Sequence, residues 1–505
     1  MKLATQIYYM PAERMADLAL HDADGLTFRL DLGDATSSFA LLDCFGQSLR
    51  LSQRLLLRGG NQIELLTEDG DLLAQDDRPG ARFVPELGIG PVRDALAELS
   101  PLRALLPIAT GRIRTGELSM VDDEGKTCAR AILRLLEPEA GNPVLVILPR
   151  GLRGYDNELH AMTGHIRRCG GMPLTAGNLY RSIDHGRMLY VAKPAVEIGR
   201  QDTAFDVASR LIASYLPVAR ANETGIIEDI DTEFLHDYRI AMRKVRSVLS
   251  LFKGVFQTDQ TAELKMRFST LMAPSGALRD LDVYLLDQKS FYDLVPDTMH
   301  DGLDAMLPLI GTRRTEEHKR LAAHLSTKRY DKEMKTLSRL FARKRKLLPG
   351  PNASRAALDL ARELIWKRYR KIRRIASTLD AGTPDAVVHS LRIECKKLRY
   401  LMEFFGPAFP GDDFAGLLRP LKRLQDTLGQ FNDSSVQQAR LLGFVDSLDG
   451  EPRRLEISRS VGAIVTVLHQ RQGILRVSIV DAFASFNSNR TQKTFRALFH
   501  KGENV

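Results

Sequence analysis

The sequence predicts a chain of two parts, a mixed α+β domain of antiparallel strands over residues 1–190 and an all-α domain over 200–500. Three observations carry this. Short alternating segments broken by Gly59-Gly60 and Asp69-Gly70 fill the first part, apolar residues at three and four spacings fill the second, and one basic helix in the second part occurs twice. At 505 residues the chain exceeds one ordinary core, so two or three domains are expected.

In the first part, segments 26–32, 48–55 and 62–66 alternate as half-buried strands do. Further strands are expected at 111–115, 118–121, 127–136 and 144–148, separated by Asp123-Glu124-Gly125 and by Pro138 to Pro143. Helices are expected at 91–106 and 154–170. Gly186, Pro194 and Gly199 mark the boundary at 180–200. From Asp202 onward the periodicity predicts helices through 203–220, 234–256, 261–289, 301–325, 331–347, 355–379, 384–405, 413–443 and 452–496, with breaks at Gly311, Pro349-Gly350, Gly382, Gly406 and Pro410-Gly411.

The repeated helix runs from His236 to Arg246 and again from His389 to Arg399. At 100° per residue His236, Arg239, Arg243 and Arg246 fall within an arc of about 80°, as do His389, Arg392, Lys396 and Arg399. Tyr238, Met242, Val245, Leu249 and Phe252 in the first copy, and Leu391, Cys395, Leu398, Met402 and Phe405 in the second, take another side. Each helix can bury one face and present a basic comb on another. The offset of 153 that brings His236 onto His389 also carries Gly276 onto Gly429, Asp280 onto Asp433 and Val283 onto Val436 without a gap. Holding register into the next helix argues duplication, so halves of about 203–345 and about 355–496 are expected, related by a pseudo-twofold axis that lets both combs line one cleft.

Charge is placed to match. Residues 1–199 hold 22 Lys+Arg against 26 Asp+Glu, leaving 50 against 37 for residues 200–505, so the net charge of +9 belongs to the helical part and points to a polyanionic partner there. Hydrophobic residues at 44% and charged ones at 27% exclude a disordered or fibrous chain. Cys44, Cys128, Cys169 and Cys395 are far apart and suggest neither a zinc knuckle nor a disulfide framework, so no metal and no cofactor are expected. With no basic segment before an apolar run at the N-terminus and no stretch of about 18 apolar residues, the protein reads as soluble and cytoplasmic, without a membrane partner.

A row of Arg and Lys on successive helical turns, about 5 Å apart, suits an extended chain of phosphates better than one small anion. Arginine supplies planar paired donors and lysine a compact charge. His236 and His389 donate hydrogen bonds when neutral, and phosphate nearby would favour their charged form. A single basic helix face is usually just solvated; its repetition in register is what argues for a ligand. Lys244 and Lys397, one position beyond the third comb cation, join the candidate set, and Lys367, Arg370, Lys371 and Arg374 on the preceding helix offer a cleft wall. The cations of 313–346, including Arg313, Arg314, Arg343, Arg345 and Lys346, point around a whole helix and read as a solvated surface. Asp280 and Asp433 read as structural supports that orient guanidiniums, and Gly276 and Gly429 as sites of close approach or a local break.

The paired His-x-x-Arg helices, together with the run Leu278 to Val283 and with Leu424, Gln425, Asp426, Leu428, Gly429, Asn432 and Asp433, resemble a CHAD domain over about residues 200–500. The resemblance implies two four-helix bundles around a basic central cleft and binding of inorganic polyphosphate without catalysis, with His236, Arg239, Arg243, Lys244, Arg246, His389, Arg392, Lys396, Lys397 and Arg399 as the matching positions. Pro274-Ser275-Gly276 departs from the family pattern, in which leucine commonly precedes the glycine. CHAD domains often follow a CYTH domain, a β-tunnel of the triphosphate tunnel metalloenzyme class, and residues 1–190 are similar to it in strand layout and at Gly111 to Arg114 ahead of Asp123 to Gly125. That class implies inward cations and several metal-holding carboxylates. Here the opening strand 27–32 holds Asp31 alone and the later one ends at Glu137, so the domain reads as a CYTH-like tunnel that has lost its chemistry, with Arg54, Arg58, Arg112 and Arg114 as remnants of an anion site. Three functions stay in play: non-enzymatic polyphosphate binding, the leading one, with attachment to polyphosphate granules left open; a triphosphatase or polyphosphatase acting through the first domain; and a nucleic-acid module, disfavoured because Tyr369 and Tyr400 are the few aromatics near the comb.

Overall fold

The computed structural model describes residues 6–19, 27–184, 190–380, 382–409 and 411–500. Leu26, Gly186 and Pro410, expected at a strand start, the boundary and a helix break, lie outside the described residues. The chain divides into two compact units, Met1–Val191 and Ala192–Val505.

Unit 1 is an antiparallel sheet of nine strands: β1 (Tyr8–Pro11), β2 (Thr27–Cys44), β3 (Leu55–Gly59), β4 (Gln62–Leu66), β5 (Leu72–Asp76), β6 (Leu105–Val121), β7 (Thr127–Pro138), β8 (Val144–Arg150) and β9 (Met172–Pro173), in the order β5-β4-β3-β2-β6-β7-β8-β1-β9. Its helices are α1 (Ser48–Leu51), α2 (Pro91–Ala95), α3 (Asp156–Arg168) and α4 (Ala176–Ile183). Several expected boundaries move. The segment expected as a strand at 48–55 opens as α1, because buried Asp43 accepts the N–H groups of Leu49 and Arg50 at 3.0 Å each and so caps a helix start. The helix expected at 91–106 is only the five residues of α2. The strands expected at 111–115 and 118–121 are one strand, β6, which passes through Gly111 and Gly116; a Cβ at either would press on the neighbouring strands, at Glu137 O and Asp31 O respectively.

β2 and β6 pair along most of their length, with register shifts at Leu32/Thr36 and Leu41/Leu42. They run through three apolar clusters. Phe28, Leu118 and Met120 join Met10, Ile147 and Met162 in one; Phe39, Leu41 and Ile113 join Leu57, Val146 and Leu179 in the second; Leu42, Cys44 and Leu105 join Leu56, Leu65 and Leu96 in the third.

Unit 2 is helical: α5 (Ala204–Ile227), α6 (Thr232–Leu251), α7 (Thr258–Met272), α8 (Ser275–Leu286), α9 (Gln288–Leu294), α10 (His300–Leu325), α11 (Lys328–Arg343), α12 (Ala357–Ala376), α13 (Asp385–Phe405), α14 (Gly411–Asp446), α15 (Arg454–Phe486) and α16 (Asn489–Phe499). The helix expected at 261–289 is broken into α7, α8 and α9; the first break falls at Pro274, which carries no N–H to continue the ladder, and the second at Asp287. The break expected at Gly311 is absent. α10 runs on through it because Leu303, Met306 and Ile310 pack with Ile457, Val461 and Ile464 of α15, which outweighs the weak helix propensity of glycine. The helix expected at 452–496 ends at Phe486, and Ser488 caps α16 through the N–H of Thr491. No helix among the described residues is long and apolar enough to cross a membrane.

Candidate functional site

The two basic helices are α6 and α13, and their apolar faces anchor them. Tyr238, Met242, Val245, Leu249 and Phe252, like Leu391, Cys395, Leu398, Met402 and Phe405, are buried almost completely. α6 begins at Asp231, whose carboxylate accepts from the N–H groups of Glu233 at 2.9 Å and Phe234 at 3.2 Å. Phe252 stacks on Phe405 with ring centroids 5.3 Å apart, so the C-terminal ends of α6 and α13 meet in the core. That contact orients the comb stripes.

His236, Arg239 and Arg243 line a cleft of about 360 Å³, closed by Arg279, Asp280 and Asp287 of the α8 region and by Asp433, Gln437 and Arg440 of α14. His389 and Arg392 line an adjoining cavity of about 300 Å³ with Phe431 and Asn432, and Val436 of α14 borders both. His389 donates from Nδ1 to Asn432 Oδ1 at 2.8 Å, leaving Nε2 for a ligand. Asn432 stands where the offset of 153 would place the counterpart of Arg279.

Electrostatics couples the two combs. Arg239 is lowered from its ordinary pKa by burial and by Arg243, with Asp280 opposing. Arg392 is lowered by burial and, across from α6, by Arg243, with Asp433 opposing. Burial, Arg392 and Arg243 push Lys396 down to about 8. A cation of one copy therefore repels two of the other. Arg239 donates to the Ser275 hydroxyl at 2.7 Å and Arg243 Nε to the Arg239 carbonyl at 3.3 Å, so the departure from the family pattern at Ser275 supplies a neutral seat for a comb arginine. Among the described residues, Arg239, Arg243, Arg246 and Lys396 have no carboxylate within ion-pair distance, and Arg392 has only a loose one, Asp433 at 3.7 Å.

Other expected residues are drawn elsewhere. Lys244, 6% exposed, pairs with Glu403 and lies 4.4 Å from the Tyr400 ring centre; burial and the cations Arg399, Lys193 and Arg243 press its ammonium downward while Glu403 holds it. Lys397 pairs with Glu394 at 3.0 Å and Arg399 with Glu403 at 3.2 Å. On a wheel, Lys244 and Lys397 sit about 80° past the histidine, outside the stripe, which is the physical reason they leave the cleft. The wall expected from α12 is split. Lys371 joins Arg368 on buried Glu394, whereas Lys367, Arg370 and Arg374 are exposed and line neither cavity. Asp280 pairs at 2.6 Å with Arg440 of α14. Gly429 lies inside α14 facing open space, and Gly276 lies in the first turn of α8 with Arg239 as its near neighbour, so neither marks a close helix approach. Arg279 and Arg440 are cleft cations that sequence reading missed. Arg279 sits inside the motif beside Asp280, and Arg440 has no signal in one sequence because its duplicate position is Asp287.

In unit 1, Arg54, Arg58 and Arg114 are engaged by Glu98 at 2.5 Å, Asp77 at 3.0 Å and Glu137 at 3.1 Å, and neither they nor Arg112 line the cavity walled by Leu57, Ile113 and Val146. This cavity is lined by Leu55, Leu57, Ile113, Leu136, Val146 and Leu179, with Glu64 and Arg134 paired to each other at its wall. Among the described residues no group of three or more His, Cys, Asp or Glu could hold a metal ion.

Residues 210–442 match the family model of the CHAD domain. Two uncharacterised proteins of Mycobacterium tuberculosis, from strains CDC 1551 / Oshkosh and ATCC 25618 / H37Rv, are each 26% identical over 216 residues, 41% of this chain, which spans about 40% of their length. The crystal structure of the CHAD domain from the plant Ricinus communis superposes with a TM-score of 0.50 at 23% identity, covering 59% of this chain and 96% of that one, a likeness of fold.

Proposed function

Taking as premise that residues 210–442 form a CHAD domain, we propose that the helical unit binds inorganic polyphosphate, without catalysis, in the cleft lined by the two combs. One observation carries the reading: Arg239, Arg243 and Lys396 are half-buried cations with no carboxylate partner among the described residues, and Arg243 of one copy repels Arg392 and Lys396 of the other. Half-buried charges left in mutual repulsion are stabilised by an anion that bridges them, and a phosphate chain offers one at each turn. Within this reading the halves are pseudo-twofold copies, His236 and His389 contact phosphate or organise the combs, and Asp280 and Asp433 hold the surrounding arginines. The first cleft is only modestly basic, with four arginines facing Asp280, Asp287 and Asp433. Affinity then depends also on the comb cations beyond it, Arg246, Arg392 and Lys396.

Unit 1 is proposed as a CYTH-like domain that takes no part in phosphate chemistry, a reading supported by its cavity beside Ile113 and Val146, whose wall is apolar apart from the Glu64–Arg134 pair. The test titrates labelled long-chain polyphosphate against wild type and the quadruple alanine variant of Arg239, Arg243, Arg392 and Lys396. A loss of at least about a hundredfold, with a weaker salt dependence, is expected by analogy with phosphate contacts in nucleic-acid binding. Unchanged affinity overturns the site. Phosphate release from triphosphate with Mg²⁺ or Mn²⁺ would restore the triphosphatase reading, and displacement of polyphosphate by RNA at equal phosphate concentration would favour the nucleic-acid one.

A further inference from the structure

The cations of 313–346, expected to be a solvated surface, are not equivalent. Arg313 and Arg314 are engaged by Ser447 and by Asp229 and Asp282, Lys335 by Asp331 at 2.7 Å, and Lys344 by Asp206 at 2.7 Å. Arg339, Arg343, Arg345 and Lys346 have no carboxylate partner among the described residues, and all four line one groove of about 630 Å³ between α7 and α11. Arg267 also lines the groove, already neutralised by Glu333 at 2.6 Å and Glu263 at 3.2 Å.

The groove is built, not merely crowded. Arg339 and Arg343 stand one helical turn apart. Beyond them Lys344 adopts a left-handed backbone, φ 58°, and the chain doubles back. The returning strand is tied to α7 from both sides of one amide: Gln260 Nε2 donates to the Lys346 carbonyl at 2.8 Å and Gln260 Oε1 accepts from the Leu348 N–H at 2.7 Å. Gln257 N–H adds a bond to the Leu348 carbonyl at 2.9 Å. The backbone bearing Arg345 and Lys346 is thus fixed before any ligand arrives. Attraction to the C-terminal carbonyls of α11 would explain Arg343 but not Arg339 a turn earlier, since that effect fades beyond the last turn.

From this geometry we propose that the α7–α11 groove is a second anion site, for an inorganic oligophosphate, separate from the comb cleft and independent of its assignment. No aromatic residue lines the groove, so nothing there stacks a base, while three arginines offer planar donors to phosphate oxygens. Calorimetric titration of the full chain with tripolyphosphate at low salt tests it, using the Arg339→Ala/Arg343→Ala/Arg345→Ala variant beside the cleft quadruple variant. Two classes of site are expected in wild type, with the groove variant losing one by at least about tenfold while the cleft variant keeps it. The residues are exposed, so melting should be unchanged; if the triple variant melts early, the single reversal Arg343→Glu takes its place. Wild-type stoichiometry and affinity in the groove variant overturn the proposal. So does a groove variant that loses binding of single-stranded RNA but not of tripolyphosphate. Failure of the cleft reading registers separately, as an unchanged titration of the cleft variant.

Discussion

Replacing Lys396 by arginine should flatten the pH dependence of polyphosphate binding. In the free protein burial, Arg392 and Arg243 push the Lys396 ammonium down to about 8, below its ordinary 10.5. The sign follows from that depression. As pH rises through about 8 the free protein sheds this proton, and a bound polyanion, which favours the charged form, must draw it back; affinity therefore falls as pH rises. If the ligand restores the ordinary value, linkage gives a loss of about tenfold between pH 7 and pH 9 from this residue alone. Arginine keeps its charge across the whole range, so Lys396→Arg should bind about as well as wild type at pH 7 and about tenfold better at pH 9. Fluorescence anisotropy with labelled polyphosphate, at constant ionic strength because the interaction is screened, reads the difference. Parallel pH profiles for the two proteins would refute the placement of Lys396 on the ligand.

The remaining predictions concern the scaffold. Burial alone would raise the Glu394 carboxylate, but hydrogen bonds from Arg368, Lys397 and Lys371 hold it down at about 2, so its stabilisation is present above pH 4.5 and is lost as pH falls toward 2. That drop corresponds to about 3 kcal/mol, which solvent around the half-exposed lysines trims to about 2 kcal/mol; Glu394→Gln should show this loss in urea denaturation at pH 7 and a shrinking one toward pH 3. Removing the α6 cap with Asp231→Ala should cost about 1 kcal/mol, read as a shift in the denaturation midpoint. Gly302 of α10 faces Glu456 O and Ser460 Oγ of α15 with no room for a Cβ, so Gly302→Ala should cost about 1–3 kcal/mol, whereas Gly429→Ala, facing open space, should not destabilise.

Periodicity made the helical unit legible because each comb helix has a continuous apolar stripe, and the ten apolar residues assigned to those stripes are all buried. The sheet was harder. Gly111 stands at the start of one expected strand and Gly116 in the gap between two, yet both lie inside a single strand where a neighbouring backbone needs their missing side chain, which only the fold reveals. For the site, the stripe residues could be read from helical spacing; Lys244 and Lys397, counted with them as candidates, lie off that stripe. Their carboxylates could not be read so. Glu403 lies in the second copy and takes Lys244 from the first, and Glu394 replaces Ala241 of the first copy, so each pairing depends on a tertiary approach or on a departure from the repeat. Arg440 entered the cleft by the same route, through Asp280 of another helix.

The ladder of β2 and β6 has a mechanical meaning. Among the described residues these two strands contribute side chains to each of the three apolar clusters named for unit 1, so they act as a beam running through three joints. No cluster can open without stressing a strand that the other two still grip. Loosening at Phe28 is resisted at Cys44, some fifty ångströms of extended chain away by the rise of a strand. Unit 1 should therefore lose its order in a single event, its slowest-exchanging amides spread along the whole beam instead of being gathered at one end.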